Sequence, residues 1–314
     1  MEGAKEFLAQ KQASLAEHSG PAIGAFNSLK EKASHIPGAD KLQGVMEQTG
    51  LSKFFPMGGG NKQSPLDILT SEARYDENLG DGAFQFNYTN SDIFSITNTG
   101  LNATLAAKED AQSTLTAIHL PDTYRLKSIQ AHWGTEPMNG SEHLVGGVGY
   151  GGELHLIHWN AKYDSFDAAL KHPDGIAILA VFLNESHDDN KNLLPIMNLL
   201  PRIQYKGDSA PLNGFNINAL LPQNKGDFWT YEGSMTTPPH NEAVVWTVFR
   251  ATIPISSNQL DALRGLYSLG VEEAEKKPDA KVSGAVRPPQ PLNGRLVRAS
   301  FRSGGIIPPD DGPN

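Results

Sequence analysis

The chain has 314 residues, 39% of them apolar, with 31 Gly, 21 Pro, no Cys and a formal net charge of −9. The lack of cysteine excludes disulfides, thiolate metal ligands and cysteine nucleophiles. The acidic balance argues against a general nucleic-acid binder, and no apolar run approaches membrane-spanning length.

The N-terminus, MEGAKEFLAQKQ, has no apolar signal core and no Arg, so it reads as neither a secretory nor a mitochondrial presequence. Together with the absence of cysteine this favours an intracellular location. Ile23, Phe26, Leu29 and Ala33 fall near helical spacing, and Leu42, Val45 and Met46 suggest a second helix. Pro37-Gly38 separates the two, and Pro56 with Gly58, Gly59 and Gly60 suggests a hinge. Residues 1–60 therefore read as a helical extension, either packed on the main domain or serving as a docking arm for a protein partner.

From Gln63 onward the pattern changes to strands and turns, and residues 63–301 read as one domain. Tyr124 to Trp133 and Gly152 to Trp159 are strand candidates. GIAILAVFL, from Gly175 to Leu183, suits a buried central strand. Ala243 to Ala251 is a further strand, and Asn258 to Leu269 is a helix carrying Leu260, Leu263 and Leu266. Residues 302–314 read as an extended or disordered tail.

Residues two apart in a strand point to one face. That sets Gln130 beside His132, and His155 beside Glu153 and Ile157, with His158 on the opposite face as a structural residue. If the two strands are neighbours, Gln130, His132 and His155 converge. A catalytic zinc commonly takes three protein ligands and keeps a fourth position for water, but only two of these three residues are histidines. Paired histidines on separate strands also serve as ordinary hydrogen-bonding residues, so both readings stand at this point.

Several longer motifs occur in order: QSPLDI at 63–68, HWG at 132–134, GSEH at 140–143, ELHLIHWN at 153–160, GSMTTPP at 233–239, Trp246, and VRPPQPLNGR at 286–295. Over roughly three quarters of the chain this order resembles the α-carbonic anhydrases, and in particular the carbonic anhydrase-related proteins with an incomplete zinc site. The resemblance implies a mainly β fold: a large, twisted, mostly antiparallel sheet with peripheral helices, and a cone with zinc at its base. In that family, the usual example of this chemistry, zinc lowers the pKa of a water toward neutrality, and the hydroxide attacks carbon dioxide. By motif position Thr236 would orient the hydroxide and pass its proton to Glu142. Thr237 would line the substrate side, and Glu153 would orient His155. Ile157, Ile178, Met235 and Trp246 would form the apolar wall.

The sequence departs from the family pattern at four positions within the domain, and residues 1–60 replace the aromatic-rich segment that usually precedes QSP. Gln130 stands where the family has the first histidine ligand, and its neutral amide is a poorer donor than imidazole. Ser128 replaces the glutamine that commonly supports that ligand. Leu101 occupies the position of the proton-shuttling histidine and cannot ionise. His240 replaces a commonly apolar or cysteine residue and reads as a surface histidine. The leading expectation is a carbonic anhydrase-like pseudoenzyme, a binding or structural subunit with weak or absent zinc and little or no hydration of carbon dioxide. The alternative is an active zinc-dependent carbonate dehydratase, a lyase, with a His-His-Gln site acting on carbon dioxide and bicarbonate. A third reading is a module that holds a small anion or carboxylate in the cone.

Overall fold

A computed structural model describes residues 60–282 and 286–302. The two N-terminal helix candidates, most of the hinge candidate and residues 303–314 lie outside the described residues. Within them, β1 (Ile93–Asn98) and β2 (Ala103–Ala107) lead to the long strands β3 (Tyr124–Trp133), β4 (Gly152–Asn160) and β5 (Ile176–Ser186). Two further strands, β6 (Phe228–Gly233) and β7 (Val244–Phe249), complete the centre. Their spatial order is β1-β2-β3-β4-β5-β7-β6 within a 13-stranded sheet. Neighbours along it are antiparallel except β5 and β7, which run parallel. The outcome is the mainly β architecture expected, a large mixed sheet with few helices.

The strands form where β-branched and aromatic residues concentrate. Ile176 to Leu183 is buried at every position, as the centre of a sheet covered on both faces requires. One face carries Ile129, Ala131, Trp133, Leu154, Leu156, Leu179 and Val181 into one core. The other carries Ile157, Ile178, Ala180, Phe182, Tyr231 and Trp246 into a second. In β3 the pairing with β4 shifts between Leu126 and Ser128, leaving Lys127 as an extra residue. Tyr124 and Leu126 thereby share a core with Ile129 and Ala131.

The helical candidate is shorter than the sequence pattern suggests. It spans Ser257–Arg264 rather than reaching Leu269. Ser256 and Gln259 form a reciprocal capping box at its start, and Gly265 caps its end. Leu266 is buried beyond the last turn, so its spacing reflects core contact and not helix. No helix among the described residues is long and apolar enough to cross a membrane.

Candidate functional site

The register brings the expected residues together. Gln130 lies opposite His155, and His132 opposite Glu153, across β3 and β4. In the adjoining row Ile157 pairs with Ile178, and Ile178 with Trp246. Met235, in the turn after β6, packs into the same cluster as these three. The polar residues thus form one end of a face whose remainder is an apolar wall.

Glu153 anchors the polar end. Its Oε2 accepts the backbone N–H groups of Glu142 at 2.9 Å and His143 at 2.8 Å. Its Oε1 meets His143 Nδ1 at 2.6 Å and His155 Nε2 at 2.7 Å. Burial pushes this carboxyl up, but the two histidines outweigh it through charge and hydrogen bonds and hold its pKa well below the ordinary range. For His155, burial acts downward, while the charge of Glu153, its hydrogen bond and Glu142 raise the pKa on balance. His132 ends lower than an ordinary histidine, because burial there exceeds the opposing effect of Glu142.

Five residues of this network had no role assigned from sequence. His143 Nε2 lies 2.7 Å from Tyr231 Oη, which lies 2.9 Å from Ser64 Oγ. Arg287 donates its backbone N–H to Glu142 Oε1 at 2.8 Å, and its guanidinium donates to Ser64 O and Gln63 Oε1. Burial lowers the Arg287 pKa to about 10. His143, Arg287, and Gln63 with Ser64 sit within the motifs already noted, GSEH, VRPPQPLNGR and QSPLDI, which was the available signal.

Other residues take less expected positions. Thr236 is buried, but no hydrogen bond joins it to Glu142 among the described residues. Thr237 contributes its carbonyl to the His240 N–H at 3.0 Å. His240 is not a surface histidine: it is 5% exposed. Its backbone adopts φ 63, and its Nδ1 lies 3.3 Å from the Met235 carbonyl. His158 lies on the opposite face, 2.8 Å from Tyr88 Oη, as its structural reading requires. Leu101 projects from a turn at 55% exposure. Gln130 and Ser128 are both half-buried, and Gln130 makes no side-chain hydrogen bond among the described residues.

The donor set fits a metal ion. Both ring nitrogens of His132 and Glu142 Oε2 are buried without a hydrogen-bond partner, which is costly unless something satisfies them. His132, Glu142 and His155 also lie close enough to hold one ion.

Comparison with known proteins follows the same direction. The sequence profile of the eukaryotic-type carbonic anhydrases matches residues 47–301. Carbonic anhydrase 3 of Sus scrofa is 39% identical over 251 residues, covering 80% of this chain and 94% of that protein. Carbonic anhydrase 3 of Bos taurus is 40% identical over 251 residues with the same coverage. Carbonic anhydrase 1 of Mus musculus is 42% identical over 252 residues, again covering 80% of this chain and 94% of that protein.

Proposed function

This chain belongs to the eukaryotic-type carbonic anhydrase family, and we propose that it is a member with little or no carbon dioxide hydration activity, serving as a binding or structural subunit. The carrying observation is Gln130, a half-buried neutral amide in register with His155 where the resemblance calls for a histidine. Zinc, when bound in this family's site, activates a water for attack on carbon dioxide. His132 and His155 would remain as ligands, with Glu153 holding His155 in place. A zinc site of about 10–16 kcal/mol is spread over its ligands. Replacing one imidazole by an amide removes on the order of a thousandfold of affinity, ~4 kcal/mol. Ser128 beside it supplies no amide support, and Leu101 supplies no proton relay. A protein partner engaged through residues 1–60 and an intracellular location belong to the same reading.

The retained network favours a second reading, an active dehydratase with a His-His-Gln site. His132, His155, Glu142 and Glu153 are all present and buried. Hydration assays of the wild type beside Gln130→His decide between them. The expected result is near-background hydration by the wild type and a clear gain, with tighter zinc binding, in the variant. Substantial hydration by the zinc-loaded wild type would overturn the inactive reading. For the partner, removal of residues 1–57 is expected to change the native complex profile in cell extract, and an unchanged profile would count against a docking arm.

A further inference from the structure

Three buried side chains of the polar end, His132, His155 and Glu142, gather at one point. The rings of His132 and His155 are 4.6 Å apart between centroids. The Glu142 carboxylate reaches both: Oε1 lies 3.7 Å from His132 Nδ1, and Oε2 lies 3.8 Å from His155 Nδ1. One ligand atom from each of the three residues lies within 4.8 Å of the other two. All three residues are buried, at 4%, 1% and 2% exposure for His132, His155 and Glu142. Tetrahedral zinc with bonds of about 2.0–2.2 Å sets its ligand atoms roughly 3.3–3.6 Å apart. The two measured separations involve different oxygens of Glu142, so side-chain rotation must close the set from within 4.8 Å onto one ion.

Buried polar atoms without partners mark the same place. Glu142 Oε2 and both ring nitrogens of His132 have no hydrogen-bond partner, which is costly unless a ligand satisfies them. Glu142 Oε2 also faces His155 Nδ1.

We propose that His132, His155 and Glu142 form a divalent-cation site of the zinc class, with Glu142 taking the place that Gln130 has vacated as third protein ligand. Two imidazoles and a carboxylate are a donor set zinc accepts. Binding sheds any proton held on His155 Nδ1 or Glu142 to solvent. A carboxylate committed to the metal cannot also take the Thr236 proton. Metal binding is thereby separated from hydration, a consequence that rests on the inactive reading above.

Titration of the full chain with zinc and with cobalt(II), after chelator treatment, tests the ligand set. The wild type is expected to bind one equivalent, with the strong visible absorption of four-coordinate cobalt(II). Gln130→Ala is expected to keep its affinity within about threefold, because Gln130 is not a ligand. Glu142→Gln is expected to lose on the order of a hundredfold. The proposal is overturned by a wild type that fails to bind one equivalent, by a loss of about tenfold or more in Gln130→Ala, or by wild-type affinity in folded Glu142→Gln. Should Glu142→Gln not fold, the wild-type and Gln130→Ala titrations still decide. A hydration assay of the same samples bears only on the inactive reading, so the two can fail separately.

Discussion

Replacing Glu153 by glutamine keeps the shape of the side chain and removes its charge at the centre of the buried network. The carboxylate takes part in four hydrogen bonds, two with backbone N–H groups and two with imidazoles. A hydrogen bond to a charged group contributes about 1.5–3 kcal/mol net, against about 0.5–1.5 kcal/mol for a neutral one. Four bonds each losing roughly 1 kcal/mol give an expected destabilisation of about 4 kcal/mol. The amide oxygen can keep the backbone pair, but its NH2 then faces the imidazoles. His143 and His155 must switch tautomer to accept, and the change passes to Tyr231 through His143 Nε2. Urea unfolding, with the midpoint compared at unchanged m-value, measures the effect. A thermal shift of roughly 10 °C downward should accompany it. A Glu153→Gln protein within about 0.5 kcal/mol of wild type would refute the view that this charge organises the polar end of the face.

Two further outcomes follow from the same structure. Burial holds His158 at a pKa of about 4, below its ordinary 6.5. The unfolded chain therefore binds more protons between those values, so stability is full above pH 6.5 and is lost as pH falls toward 4, by about 3 kcal/mol. His158→Gln should flatten the pH dependence of unfolding free energy near pH 5 by close to one proton, and an unchanged slope would contradict this. A Cβ added at Gly140 would overlap the Gly151 carbonyl and press on Gly134 N. Since both neighbours are backbone, Gly140→Ala should cost more than the usual 1–3 kcal/mol of overpacking, read as lost soluble yield or a lower urea midpoint. A well-folded variant of wild-type midpoint would show that the loop yields.

What could be read from sequence was what depends on neighbours in the chain. Period-two alternation placed Gln130 with His132 and His155 with Glu153, and the β3 limits match the pattern from Tyr124 to Trp133. Strand adjacency was conditional, since pairing between Gln130 and His155 is a long-range contact that no local pattern encodes. The same limit hid the links from His143 to Tyr231 and Ser64, which join residues far apart in the chain. His240 was misread because exposure depends on how a turn folds back, and polarity alone suggested the surface. The helix after Ser256 was overextended because Leu266 continues the apolar spacing after Gly265 has ended the helix.

The extra residue at Lys127 works like a shift of reading frame within β3. Before it, Tyr124 and Leu126 face one core; after it, the odd-numbered Ile129 and Ala131 do, while Gln130 and His132 face the other way. The strand thus carries two phases, each set from its own side of the bulge. Which side chains reach the polar end of that face is therefore a matter of counting from Lys127 as well as of residue type. A one-residue change in length between Lys127 and Gln130 would turn both Gln130 and His132 away from His155, even with every histidine still in the chain.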